Sequence, residues 1–487
     1  MANEHGIYVT ESPTSLPLPT LTQNGVPVYF GTAPVNMAAT PALNKPVLCE
    51  SYEDAVKSFG YSDDFDSYGL CEAIYTHFIK TGVGPIVLVN VLDPETHSKT
   101  LAAASYPVSA KQAVIEQEGV LKENLSVKVG STTLVEGTDY TASYDANGYL
   151  VLTMITGGAG ASASSVTVTG KQLDPSAVTE SAVIGGYDST TKKRSGIECV
   201  SDVYAMTGRV PGLLAAPGWS HKPNVGRILQ LKAPSINEIF SAQAVLDIDT
   251  ATCLSYENVK AKKDAAGYNG NRTFACWPMA KTADHDAPIY YSAILIAALQ
   301  QCDADHESVP SRSPSNLPLS YVTGAVLANG TDVVLERTEA NVVEAAGVVT
   351  MLRWGSSFRT WGNYTAAAPE ATDPKDRWIL CRRMFDWQAS NFVLLYIDQV
   401  DENISYRLIE GVVDNENKRL GAYIPVHMAA ARIEFRASDN SDEQILSGKI
   451  RFKQYLSPYI PAKVISNDLE YDVDALMAAI LGGGEAA

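Results

Sequence analysis

The chain has 487 residues, 46% of them hydrophobic, so at the usual size of about 100–200 residues per domain it can bury about three or four separate cores. A formal net charge of −18 argues against a nucleic-acid or anionic-membrane partner, which needs a basic surface. The sequence holds no apolar run of about 18 residues or more and no charged-then-apolar start, so neither a membrane span nor a secretory signal is read, and a cytoplasmic product is expected.

The first predicted element is a strand at residues 6–11 (Gly6, Ile7, Tyr8, Val9, Thr10, Glu11), cut off from the body of the chain by Pro13, Pro17 and Pro19. The segment 22–35 opens the body with a short apolar strand ending at Gly31. Tyr52–Phe59 and Leu70–Thr81 have helical spacing, and Pro85–Leu92 is so continuously apolar that it suits a strand covered on both faces.

Between residues 110 and 185 the character changes to short β segments, at Val120–Val129, Thr133–Val135, Tyr140–Tyr144, Tyr149–Ile155 and Val166–Val168, with a turn at Asn147-Gly148. This reads as an inserted β-sandwich. The Gly- and Ser-rich stretch 157–165 lacks the Lys-Ser/Thr ending of a phosphate loop and reads as a hairpin tip.

Alternation of strands and helices returns over residues 186–353. Gly212–Ala216 and Ala244–Asp249 are predicted strands, Val225–Lys232, Ile236–Phe240 and Tyr290–Cys302 predicted helices, and Val309–Pro318 an extended loop. In the portion 354–460 helices are expected over Pro374–Val393 and Asp414–Tyr423, and Ile433–Phe435 is expected to pair with Lys449–Tyr455. The end of the chain, 461–487, comes after Pro458 and opens on Pro461. In it Leu469, Tyr471 and Val473 alternate with Glu470 and Asp472, a strand pattern with one apolar face.

Chemistry leaves little mark on this sequence. Seven scattered cysteines without CxxC spacing read as buried free thiols. Zinc-protease, nucleophile-elbow, phosphate-loop and EF-hand patterns are missing, so no catalytic residue, metal ligand or cofactor site is assigned. Asp284-His285-Asp286 reads as a polar turn, His306-Glu307 as loop, Asp63, Asp64 and Asp66 as a solvated turn, and His77 as a core histidine. Arg382-Arg383, flanked by Trp378 and Trp387, reads as packing or protein contact rather than nucleic-acid stacking, given the acidic balance.

The two terminal strands are therefore the most informative feature. A lone strand leaves its backbone N–H and C=O groups unpaired, so each must return to its own body or complete a sheet in a neighbour, and the second choice makes a polymer. A polymeric shell or adhesin carrying the sandwich, and a degenerate hydrolase built on the middle portion, are the rival readings.

Several blocks, in order along most of the chain, resemble the contractile tail sheath family of myophages, R-type bacteriocins and related contractile injection systems. They are V-P-V-Y-F-G-T-A-P-V at 26–35, L-L-A-A-P-G-W-S-H at 213–221, A-C-W-P at 275–278, S-P-S-N at 313–316, F-R-T-W-G-N at 358–363, D-R-W-I-L-C-R-R-M at 376–384, and the long stretch at 431–465. The resemblance implies an α/β and α+β multidomain fold with an N-terminal arm (1–21) and an N-terminal α/β part of the body (22–109). The β-sandwich (110–185) would lie on the outer surface, inserted ahead of a subtilisin-like α/β domain without a catalytic triad (186–353). A C-terminal α+β domain facing a tube (354–460) and a C-terminal arm (461–487) complete it. It further implies arms that add strands to neighbouring copies, through Gly6 to Glu11 at one end and Val464, Ile465, Leu469, Tyr471 and Val473 at the other. The expected partners are further copies in stacked hexameric rings, an inner tail tube, and baseplate and tail terminator proteins. No nucleic-acid partner or membrane insertion is implied. Lys418, Arg419, Arg382 and Arg383 are candidate tube or neighbour contacts, and a chain made in a bacterial cytoplasm and assembled into a virion tail or tail-like particle is expected.

Overall fold

In the computed structural model, residues 25–481 are described, apart from residues 146 and 286. The expected strand at Gly6–Glu11 lies outside them. A nine-stranded sheet organises the body. In chain order its strands are β1 (Val26–Gly31), β2 (Val47–Cys49), β3 (Ile86–Asn90), β4 (Pro211–Ala215), β5 (Gln243–Asp247), β6 (Thr273–Cys276), β7 (Pro318–Leu319), β8 (Val348–Trp354) and β9 (Ser357–Trp361). They lie in the order β7-β9-β8-β6-β5-β4-β1-β3-β2. From β8 to β3 every pairing is parallel, and antiparallel strands close both edges.

The parallel centre explains the apolar runs in the sequence. Strands β1, β3, β5 and β6 are buried along their whole length, which leaves no room for alternation with polar residues. Gly212 permits the close start of β4 beside β1, where a Cβ would lie 2.1 Å from the Cα of Gly25. Helix α1 (Tyr291–Ala304), with Ile294, Leu295 and Ile296 fully buried, packs against β4, β5 and the Leu70–Thr81 helical segment. Each such aliphatic side chain contributes about 1.5–3 kcal/mol by leaving water.

The inserted unit has two sheets around their own core of Leu101, Val127, Leu152 and Val168, among others. Its first strand, Ser98–Pro107, pairs with Ser165–Leu173. The unit thus starts ahead of residue 110, because the Ala- and Ser-rich run in that strand lacks a clear alternation. Residues 180–184 beyond it are helical. Ile236–Phe240, expected as a helix, is a turn: Asn237 and Glu238 take left-handed φ values of 54° and 62°, and Ile236 and Phe240 exchange backbone hydrogen bonds of 2.8 and 3.1 Å.

The C-terminal unit is built on helices α2 (Ile379–Tyr396) and α3 (Tyr406–Gly421), under a hairpin of β10 (Met428–Phe435) and β11 (Phe452–Pro458). The single helix expected over Pro374–Val393 is divided, because Trp378 takes an extended conformation (φ −93°, ψ 127°) between a short first turn and α2. The helix expected at Asp414–Tyr423 starts eight residues earlier, at Tyr406, where the Ser405 hydroxyl accepts the Leu408 N–H. The strand expected over Lys463–Val473 is not formed in the single chain: residues 463–472 carry no helix or strand, and Val473 opens helix α4 (Val473–Ile480), capped by the Asp472 carboxylate on the Ala475 N–H at 2.9 Å.

One carboxylate joins this unit to the sheet. Asp386 on α2 accepts from Gln243 on β5 at 2.7 Å, from Arg272 just before β6 at 2.8 and 3.0 Å, and from Arg382 one helical turn earlier at 2.9 Å. Arg383 reaches Asp303 of α1. The reading of Arg382 and Arg383 as outward contacts is thus corrected: both are buried and spent within the chain, because α2 is covered both by the body and by the hairpin.

At the end of β5, Asp247 is buried and accepts the hydroxyls of Ser220 at 2.9 Å and Ser292 at 2.6 Å, together with the Ser292 N–H at 2.9 Å. Burial pushes its carboxyl up to about 6, against the lowering effect of those bonds. A carboxyl whose folded pKa is raised favours the folded state below its unfolded pKa of about 3.9, and that contribution is lost as pH rises through about 6. Compared with Asp247→Asn, the unsubstituted protein is therefore expected to melt at progressively lower temperature between about pH 4 and pH 6. A constant difference in melting temperature over that window would contradict the assignment. Asp386→Ala is expected to cost about 3–5 kcal/mol, since two guanidinium groups lose a buried acceptor, and thermal unfolding measures it.

Candidate assembly interface

The surface that can meet a neighbour is built from α2 upward. Phe452, Gln454 and Leu456 of β11 face the helices: Phe452 lies 6.4 Å from Phe392, the Gln454 amide donates to Glu416 at 3.0 Å, and Leu456 packs on the cluster of Met384, Trp387 and Tyr423. Glu416 has no exposed side-chain surface. Burial alone would raise its carboxyl, but Arg419 at 2.7 and 2.9 Å, Gln388 at 2.6 Å and Gln454 overcome this and hold it below the usual range. Arg419, expected as an outward contact, is consumed in that network and is buried. Lys418 beside it is exposed on α3.

The other face of the hairpin carries Arg432, Arg436 and Lys453, with Glu434 opposite Lys453 and ion-paired with Arg436. Arg432 lies over the Tyr455 ring at 4.0 Å, Arg436 lies near the same ring at 5.5 Å, and Lys453 is exposed. At the outer edge of β10 the Asn417 carboxamide of α3 takes both backbone groups of Ile433. Its Oδ1 accepts the N–H and its Nδ2 donates to the C=O, each at 2.9 Å. No sequence pattern distinguishes Asn417 from any other polar helix residue.

Beyond β11 the chain is pinned once and then released. The Lys463 ammonium donates to Glu344 at 3.0 Å and to the Tyr364 hydroxyl at 3.1 Å, and lies 4.2 Å from the centre of that ring. Burial lowers the Lys463 pKa, but Glu344 and Tyr364 outweigh that and raise it. After it residues 464–472 carry no helix or strand, and Val464, Ile465, Leu469 and Tyr471 are 79%, 86%, 90% and 72% exposed. Val473 is exposed too, at the start of α4. The interaction that fixes this exit, Lys463 with Glu344, joins residues 119 apart and has no local signature in the sequence.

The groups weighed for chemistry sit in structural roles. His77 is buried, accepts or donates with the Tyr29 hydroxyl at 2.6 Å, and is pushed down to about 4 by burial. Asp284 holds Tyr75 and Lys80, and His285 stacks on Phe65 at 3.9 Å; Asp286 lies outside the described residues. Ser220, Asp247 and Ser292 bring hydroxyls to a carboxylate, yet all three are buried beneath the sheet's end rather than open to a cleft. Among the described residues no group of three or more His, Cys, Asp or Glu side chains is placed to hold a metal ion, and no helix is long and apolar enough to cross a membrane. All seven cysteines are free and buried.

No family model matches the chain. Among characterised proteins, the tail sheath protein of Burkholderia phage BcepMu is 27% identical over 429 residues, covering 85% of this chain and 85% of that protein. The tail sheath protein of Escherichia phage P2 is 23% identical over 288 residues, 58% of this chain and 69% of that one. Among solved structures, the helical sheath of the anti-feeding prophage in its contracted state superposes with a TM-score of 0.55 at 13% identity, over 96% of this chain and 99% of that one. The sheath complex of the extracellular contractile injection system PVC, also contracted, gives 0.55 at 13% identity, over 98% and 99%. The fold is thus that of contractile sheath subunits, and together with a sequence likeness to phage tail sheath proteins over most of the chain it supports a structural sheath subunit of that family.

Proposed function

We propose that this chain polymerises as stacked hexameric rings around an inner tube, in the tail of a virion or tail-like particle, and that the stack shortens to drive the tube through a target envelope. The observation that carries the reading is the C-terminal segment beyond Lys463, whose large apolar side chains stand almost fully in water in the single chain. A series of this kind signals a partner surface, and strand addition in a second copy satisfies its backbone as well as its side chains. The N-terminal strand Gly6–Glu11 would act in the same way at the opposite end.

In this reading the body is the subtilisin-like domain, stripped of an open nucleophile, and the Ser98–Leu173 unit projects outward. The C-terminal unit faces the tube, with Lys418 among its exposed cations. The ends of the stack would be held by baseplate and terminator proteins. Since contraction exchanges one set of interfaces for another, its driving free energy is a difference between two packings and needs no nucleotide. The anti-feeding prophage and PVC sheaths, captured contracted, support a second packing for this fold.

Electron microscopy of the purified protein tests the proposal. Hollow tubes are expected from the full chain. Removing residues 464–481, or residues 1–12, is expected to abolish them while circular dichroism and the melting transition of the body stay unchanged. Tubes that persist without either segment would refute the arm model.

A further inference from the structure

The chain enters the large sheet at the start of β1, where the N–H groups of Gly25 and Val26 both donate to the Val210 carbonyl, at 3.3 and 3.0 Å. An apolar surface opens beside that point. It is built by the helical segment 198–207, the end of the helix Pro223–Lys232 and the turn at 236–240. Asn237 donates to the Ser201 carbonyl at 2.7 Å, the Tyr204 and Phe240 rings have centroids 5.0 Å apart, and Lys232 pairs with Glu198, so the three parts are held together. Around those contacts Tyr204, Met206, Leu231 and Ile239 stand 39%, 47%, 70% and 56% exposed. A group of large apolar side chains left in water in this way marks a contact surface.

We infer that residues 16–21 of the same chain cover this surface, so that the N-terminal arm is released at Leu16 and not at Gly25. The inference goes beyond the polymer reading and holds for a single copy.

Position and composition select that occupant. Strands β1, β4 and β5 begin side by side, with Val26 opposite Pro211 and Leu213 opposite Gln243, and the turn at 236–240 leads into β5. It therefore lies two strand places, about 10 Å, from the entry of the chain. Leu21 is within about 13 Å and Leu16 within about 30 Å of extended chain from Gly25, so both reach the surface. A segment tethered at this range acts at an effective concentration of about a millimolar, which a separate copy does not match. Residues 12–24 carry no charge, and Leu16 and Leu18 are followed by Pro17 and Pro19, whose fixed φ lowers the entropy lost when the leucines are seated. On the opposite side of Gly25 the cleft lined by Pro211, Pro310 and Trp387 measures about 30 Å³, which takes a water molecule but not a leucine side chain. With its root seated in this way, the arm has residues 1–15 to span the distance to a neighbour.

Oxidation of paired cysteines in the full chain tests this, because the seven native thiols are all buried. Leu21→Cys with Met206→Cys, and Leu18→Cys with Ile239→Cys, are expected to close a loop within one chain, seen as a faster monomer band on a non-reducing gel. Leu21→Cys with Ser308→Cys, which lines the cleft on the opposite side of Gly25, is expected to close about tenfold more slowly. Equal rates on the two sides describe a segment that is tethered but unseated, and would overturn the inference. Multimer bands in place of the fast monomer would overturn it too, by making a second copy the occupant, as would the absence of any cross-link to Met206→Cys or Ile239→Cys. A measurement without cysteines stands beside it: deleting residues 1–21 is expected to speed hydrogen exchange at 203–207 and 236–240 several-fold while α1 stays unchanged. Identical exchange in the full and shortened chains would leave the surface without its proposed cover.

Discussion

Asp386 is the point on which the C-terminal unit turns. Its carboxylate gathers donors from β5, from the start of β6 and from its own helix, and so ties α2 to separate parts of the sheet at a single group. With α2 fixed, α3 and the hairpin are placed by the Glu416 network. A buried ion pair of this type adds little net stability over an apolar contact of the same shape, but it penalises every arrangement in which the donors are left without the acceptor. The arrangement suits a subunit whose outward surfaces must keep their relative directions.

Much of this architecture was legible in the residues. Apolar runs such as I-V-L-V-N at 86–90 demand cover on both faces, and they form the centre of a largely parallel sheet. Short alternating segments around Asn147-Gly148 form the inserted sheets, with Leu150 and Leu152 inward. The segment after Pro461 reads as a strand from the alternation of Leu469, Tyr471 and Val473 with Glu470 and Asp472, and in the single chain it carries no strand and leaves those apolar side chains exposed.

The rest was hidden by distance in the chain or by a competing local signal. Arg382 and Arg383 look like surface charge until the fold brings their acceptors to them. Asp303 lies 80 residues before Arg383, and only the Arg382–Asp386 spacing of one helical turn hints at burial. Val473 fits the alternation of Leu469 and Tyr471, yet Asp472 caps the helix that Val473 opens, and D-A-L-M-A-A-I is a stronger helix former than a strand former. The grip of Asn417 on Ile433 leaves no sequence trace, since it depends on where α3 lies against β10.

The inserted unit enters along Ser98–Pro107 and departs along Ser165–Leu173, two strands that run side by side in opposite directions. Apart from Leu121 and Leu173, which join the core of the large sheet at its base, its buried apolar residues form a separate cluster. A module joined to its host by one such two-stranded stem can be enlarged, trimmed or exchanged with little disturbance to the scaffold beneath. This makes it the natural place for related particles to diverge, and a convenient graft point for displaying a foreign domain in many copies.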